Sequence, residues 1–406
     1  MEQDATAAQD TTAPAPARRR RAAVRIGVPV AVAAVVATGI GLVPALASDE
    51  APNLPAISAQ ELVAKVLASN TDTFSGTVRI SADLGLPTAL TDAAGGSGPL
   101  GELARSAGAS TGSADPQLKA VELLGGAHTL TVAADGPDRQ RVTLSGQKTG
   151  YELVHDGDQV WAFDRASQQA LHLTGAPGAD GHRPDGTAGL GSVTPQKVAE
   201  QLLAVSAKTT SITVSGTERV AGHAAYRLSV KPKQEGSTVA EIRISVDAEK
   251  GVPLAVQLRT VDGATAFDVR FGSLSYAKPD AKTFRFDVPK GAKVVERSAA
   301  EHSANPLSSV LPALPAPGGD HAEGGRPGGG PADGRDGGVI GEGWTAVAHG
   351  SAGADAAKGL AKFTGRPVNG GTLVSTRIVN TLVTPDGRVF VGAVTPETLE
   401  KAAKAG

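Results

Sequence analysis

Ile242-Arg243-Ile244-Ser245-Val246-Asp247-Ala248-Glu249-Lys250-Gly251-Val252-Pro253-Leu254-Ala255-Val256-Gln257-Leu258 is the stretch that decides the fold. Ile242, Ile244 and Val246 alternate with Arg243, Ser245 and Asp247, and Leu254, Val256 and Leu258 alternate with Ala255 and Gln257. Successive side chains of a strand point to opposite faces, so a period of two predicts a pair of half-buried strands.

The same alternation runs outward in both directions. It recurs in Val78/Ile80, Leu130/Val132, Val142/Leu144, Trp161/Phe163 and Leu171/Leu173 on the N-terminal side. Around and beyond the deciding stretch it recurs in Ile212/Val214, Tyr226/Leu228/Val230, Phe267/Val269/Phe271 and Phe284/Phe286/Val288. Asp135-Gly136-Pro137 and Asp156-Gly157-Asp158 fall between strands, where hairpins need bent or left-handed backbone. About eleven antiparallel strands follow.

Helices are few. Ser58-x-x-Glu61 is a capping box, after which Leu62, Val63, Val66 and Leu67 mark one apolar face and Asn70 a stop. Thr194-Pro195 opens a second helix with Val198, Leu202 and Val205 on one side. A short echo, Ser75-Gly76-Thr77-Val78-Arg79 and Ser215-Gly216-Thr217-Glu218-Arg219, follows each helix and hints at a helix-then-sheet layout used twice.

A single sheet of that many strands must curl or split, because strand twist accumulates. Short helices cannot cover both of its faces. The expected fold is therefore mainly β with α: a curved antiparallel sheet over residues 57–296, an open half-barrel with the helices over its concave face and an apolar cleft beneath. Two Gly/Ala/Pro-rich insertions, Thr91–Ala114 and Thr174–Ser192, interrupt it at the rim.

The flanks differ in kind. Arg18, Arg19, Arg20, Arg21 and Arg25 close a basic N-region, residues 1–25, and an uncharged run follows from Ile26 to Ala47. As a helix that run reaches about 33 Å, enough for a hydrocarbon core of roughly 30 Å. Ala45-Leu46-Ala47 also has the small-x-small form of a signal-peptidase site. Both readings, a membrane anchor with a cytoplasmic N-terminus or a signal peptide cleaved near Ala47, place the rest of the chain outside the cytoplasm. At the other end, residues 305–338 are rich in Pro and then Gly and form a linker. Residues 339–406 form a small C-terminal α/β module, with strands over Leu373–Val383 and Arg388–Val394 joined at Thr384-Pro385-Asp386-Gly387 and a helix opened by Thr395-Pro396-Glu397.

Composition excludes several function classes. The 406 residues carry a formal charge of −2 and no basic cluster outside the N-terminus, so nucleic acid is not an expected partner. The lack of any cysteine rules out thiolate catalysis, disulfides, zinc-thiolate sites and a lipidated cysteine together. His128, His155, His172, His182, His223, His302, His321 and His349 are scattered without metal-ligand spacing, although His155 and His172 are expected on adjacent strands. Gly96-Ser97-Gly98-Pro99-Leu100-Gly101 matches a dinucleotide fingerprint but sits in an insertion without the strand and helix the chemistry requires. No nucleophile elbow or carboxylate pair stands out, so neither an enzyme nor a cofactor is expected.

Three segments carry a family resemblance: Asp156-Gly157-Asp158-Gln159-Val160-Trp161-Ala162-Phe163, Val220-Ala221-Gly222-His223-Ala224-Ala225-Tyr226-Arg227-Leu228, and Val246-Asp247-Ala248-Glu249-Lys250-Gly251-Val252-Pro253-Leu254. In these the chain resembles the superfamily of lipid- and lipoprotein-binding half-barrels that contains LolA, mycobacterial lipid carriers such as LppX, and the N-terminal domain of RseB. As a whole it is similar to actinobacterial exported members with an Arg-rich head and a Gly-rich tail. The resemblance implies an open barrel that holds acyl chains or lipidated peptides. Lipid-contacting residues are expected among Val78, Ile80, Leu130, Val132, Trp161, Phe163, Tyr226, Leu228, Leu254, Val256, Phe267 and Val269, under Leu62 and Leu202 of the two helices. The expected function is an extracytoplasmic carrier or chaperone for lipid or lipoprotein acyl chains. An RseB-like envelope-stress regulator that binds a membrane anti-sigma protein is the alternative.

Overall fold

The computed structural model describes residues 51–85, 114–116, 119, 123, 125–145, 150–174, 203–204, 206–298, 338–351 and 365–405. The N-terminal run 26–47, the linker up to residue 337, Thr194, Pro195, Val198, Leu202 and all but the ends of the two insertions lie outside these residues. Among the described residues no helix is long and apolar enough to cross a membrane.

The fold is mostly β and is built on a large sheet that does not close. The first meander runs through β1 (Thr73–Ala82), β2 (Gly126–Asp135), β3 (Arg139–Leu144), β4 (Tyr151–Asp156), β5 (Gln159–Asp164) and β6 (Gln169–Thr174). The second runs through β7 (Thr210–Val220), β8 (His223–Pro232), β9 (Val239–Asp247), β10 (Pro253–Thr260) and β11 (Thr265–Ser275). All these pairings are antiparallel, and β1 joins β11, so the meanders lie side by side. The echoed pentapeptides fall on β1 and β7, the opening strand of each.

A twelfth strand, β12 (Lys293–Ser298), adds to β6 in parallel. It buries none of its residues, so no apolar alternation marks it in sequence. Phe284, Phe286 and Val288, expected as a strand, belong instead to a strap that carries the chain from β11 to β12. It starts with a 3-10 turn over Ala281–Phe284 and lays Phe284 down fully buried. Pro279 and Pro289 bracket the strap, and proline cannot donate to a ladder.

Helix α1 (Ala59–Leu67) begins at the expected capping box: the Glu61 amide donates to Ser58 Oγ at 3.1 Å and the Ser58 amide donates to Glu61 Oε2 at 2.8 Å. It ends three residues before Asn70. Leu62, Val63 and Ala64 pack on Tyr226, Leu228 and Val246 in a core cluster of their own. Gly251 permits this approach, since it has a positive φ of 72° and a Cβ there would fall 2.6 Å from the Lys65 carbonyl oxygen. A second and larger cluster fills the β1–β6 side, with Val78, Leu130, Val132, Leu144 and Leu171 all buried.

A smaller sheet comprises β13 (Gly338–Ile340), β14 (Val347–Ser351), β15 (Arg366–Val368), β16 (Gly371–Ser375), β17 (Asn380–Val383) and β18 (Arg388–Gly392) in the order β13-β14-β18-β17-β16-β15. The single strand expected over Leu373–Val383 is two, β16 and β17, separated by a turn in which Thr376 Oγ1 accepts from the Val379 amide. Helix α2 (Pro396–Ala405) sets Leu399 and Ala402 against Leu373, Leu382 and Phe390. The module touches the large sheet through polar groups: the Thr238 amide donates to the Ala393 carbonyl at 3.0 Å, Trp344 Nε1 donates to Thr210 Oγ1 at 2.8 Å, and Arg377 pairs with Asp83 at 2.9 Å and Asp262 at 3.1 Å.

Candidate ligand-binding face

Strand register assigns every side chain of the large sheet to one of two faces. One row across β1, β11, β10, β9, β8 and β7 reads Ile80, Val269, Val256, Ile244, Leu228 and Val214. The next reads Ala82, Phe267, Leu258, Ile242, Val230 and Ile212. Each row is wholly apolar and spans five strand spacings, about 24 Å. The intervening residues, Arg79, Arg270, Gln257, Arg243 and Arg227 among them, point to the opposite, polar face.

Burial varies along the rows. Ile80, Ala82 and Leu228 at the flanks are buried, whereas Val256, Leu258, Ile242, Ile244, Phe267 and Val269 are half-buried. Ile244 packs at the margin of the α1 cluster, and Phe267 and Val269 at the margin of the larger one. Ile242, Val256 and Leu258 belong to neither cluster. Among the described residues an apolar band therefore lies between the two cores, on β9–β11, without core packing of its own.

The residues expected to contact lipid divide accordingly. Val256, Phe267 and Val269 lie in the band. Val78, Ile80, Leu130, Val132, Tyr226, Leu228 and Leu254 are buried in the flanking clusters, and Leu62 is buried where α1 covers β8 and β9. Leu202 lies outside the described residues. Trp161 and Phe163 are not brought together with the rest: register pairs Ala162, between them, with Leu153 and Leu171 of the apolar face, so the two aromatics point the other way. There the strap covers them. Trp161 stacks on His172 with centroids 3.8 Å apart and on Phe286 at 5.2 Å, and Phe163 meets Phe286 at 6.2 Å. Ile242, Ile244 and Leu258 complete the band; their alternation is visible in the sequence, but the phase between strands is not.

The histidines of the large sheet hold structure. His155 and His172 are on β4 and β6 with β5 between them, on opposite faces. His155 Nε2 is 2.8 Å from the Gly157 carbonyl, and His172 Nδ1 is 2.6 Å from Glu296 Oε2, tying β12 to the sheet. His223 fastens the curl of the second meander: Nδ1 is 3.3 Å from Asp247 Oδ2 on β9 and Nε2 is 3.3 Å from the Leu274 carbonyl on β11. The Tyr276 hydroxyl donates to the same Asp247 oxygen at 2.7 Å. Burial raises the Asp247 carboxyl, but hydrogen bonds from His223, the Lys250 amide, Tyr276 and the Glu249 amide outweigh it and hold it well below the usual carboxylate range. The Asp247 hydrogen bond raises His223 in turn, against the opposing effect of burial.

A separate cleft of about 440 Å³ lies at the ends of β3–β5, floored on the polar face by Thr143, Glu152 and Phe163. Burial pushes Glu152 up, against the pull of Arg141 and Arg165. Among the described residues no group of three or more His, Asp or Glu is placed to hold a metal ion.

No family model and no curated protein matches the chain. Solved structures do. The complex of Pseudomonas aeruginosa MucA and MucB matches at 15% identity over 85% of this chain and 96% of that one, with a TM-score of 0.38. An uncharacterized conserved protein from Thermus thermophilus matches at 13% identity over 59% and 99%, with a TM-score of 0.31. A LolA superfamily protein from Nitrosomonas europaea matches at 13% identity over 57% and 99%, with a TM-score of 0.21.

Proposed function

We propose that the protein is an extracytoplasmic binding protein, not an enzyme, whose apolar band receives the acyl chains of a lipid or lipoprotein. One observation supports this reading: Ile242, Val256 and Leu258 sit at mid-strand on an apolar face, half-buried, and among the described residues they pack into neither flanking core. Apolar area left in water forgoes about 25 cal/mol per Å² of burial, and a ligand supplies that burial. Each buried CH₂ of a chain contributes about 0.8 kcal/mol, so a chain of about 14 carbons stands to gain on the order of 10 kcal/mol.

The test is a titration of the full chain with a fluorescent fatty acid, alongside Leu258→Glu. Saturable uptake by the wild type that is lost in the variant is the expected result. No uptake, or uptake that ignores the substitution, would overturn the reading. Stoichiometric capture of one membrane protein in cells, without lipid, would favour a regulator that binds an anti-sigma partner, a role in keeping with MucB having been solved in complex with MucA.

A further inference from the structure

The apolar row nearest one end of the large sheet stays half-buried from β11 to β7. It consists of Phe267, Leu258, Ile242, Val230 and Ile212, and it crosses four strand spacings, about 19 Å. The smaller sheet stands along that end. Its Arg377 pairs with Asp83, just after β1, at 2.9 Å and with Asp262, between β10 and β11, at 3.1 Å. The Thr238 amide, just before β9, donates to the Ala393 carbonyl at 3.0 Å, and the Trp344 amide donates to Gln234 Oε1, just after β8, at 2.9 Å. At the far side Trp344 Nε1 donates to Thr210 Oγ1, at the start of β7, at 2.8 Å. These contacts run the width of the sheet from β1 to β7, so the C-terminal module forms a wall beside the row.

Trp344 differs from the other contacts in the face it reaches. Thr210 pairs with Pro232 in the same register that pairs Ile212 with Val230, so its side chain lies on the apolar face, two residues along β7 from Ile212. Two residues of strand advance about 7 Å. Thr210 is buried, whereas Trp344 is half-buried and, among the described residues, belongs to none of the three core clusters. The approach is tight: Gly343 has a φ of 60°, and a Cβ there would fall 2.5 Å from Gln234 Oε1. An indole fastened by its N–H has its polar group satisfied and keeps a broad ring to set against an apolar neighbour.

We propose that the C-terminal module is the end wall of the acyl-chain site and that Trp344 sets the length of chain the site accepts. This deepens the reading of the apolar band as an acyl-chain site and rests on it.

The chain holds two tryptophans, and Trp161 lies on the opposite face under the strap. Trp161→Phe therefore leaves Trp344 as the sole indole reporter in the full-length protein. Its emission is expected to be quenched by a brominated fatty acid and not by the same acid without bromine, with quenching that saturates together with uptake of a fluorescent fatty acid. In a series of saturated fatty acids, affinity for the wild type should rise about fourfold per added methylene and then stop rising. Past that stop, Trp344→Ala should bind the next longer acid about fourfold more tightly than the wild type does. Absence of quenching while uptake proceeds, or the same stop in both proteins, would overturn the proposal and leave the band standing as a site. A wild type that takes up no fatty acid of any length would overturn both. The quenching arm keeps Trp344 in place, so it decides the proposal without a folded Trp344→Ala protein.

Discussion

β1–β6 and β7–β11 are built from the same kind of alternating strand, yet they are finished differently. On the first meander the apolar side chains pack in one cluster, and across β3–β5 the strap presses Phe284 and Phe286 onto the other side. On the second, among the described residues α1 covers only β7–β9, the band on β9–β11 stays half-buried, and the polar face holds its arginines half-buried in ion pairs. A half sealed on both sides is suited to hold shape. The half whose apolar band stays half-buried is suited to meet something else.

This contrast can be broken by mutation, and the largest effect should come from the sealed half. Phe284→Ala empties a fully buried site under the strap and should cost about 3–5 kcal/mol, read from the denaturant midpoint. The Trp161 environment should change with it, since Phe286 would lose its anchor.

A like-for-like pair sharpens the comparison. Leu130→Ala, in the larger cluster, should cost about 2–5 kcal/mol, whereas Leu258→Ala, in the band, should cost about 1 kcal/mol or less and weaken ligand uptake instead. Equal costs at the two positions would mean that the band is ordinary core.

The smallest effect concerns pH. Both ring nitrogens of His223 face acceptors, which favours the protonated imidazole and raises its pKa on folding. The stability this adds is fully present below the unfolded value near 6.5 and is lost as pH rises through the higher folded value. His223 is partly exposed, so less than about 1 kcal/mol is expected. His223→Gln should flatten the stability profile above the unfolded imidazole value near 6.5. Asp247, lowered by its partners, acts in the opposite window: its contribution is present above the unfolded value of 3.8 and is lost as pH falls through the lower folded value.

Much of this architecture is legible in the sequence because alternation is a local property. The stretch Ile242–Leu258, the capping box at Ser58 and Glu61, and the glycine turns at Gly136 and Gly157 all appear where the sequence places them. Phase is not local. Trp161/Phe163 and Val256/Leu258 alternate equally well, and only the register across intervening strands separates their faces. The strap mimics a strand because Phe284 and Phe286 both point toward the sheet, and β12 escapes notice because it buries nothing. The polar face is equally silent in sequence, since its arginines are spread from Arg79 to Arg270 and meet only when β1 joins β11.

That the band is a ligand site is tested most directly by native mass spectrometry of the full chain purified from a membrane-containing host, beside Leu258→Glu. A lipid-sized adduct on the wild type, absent from a variant that remains folded, is the expected result. Wild-type protein that is free of adduct and takes up no added fatty acid would contradict it.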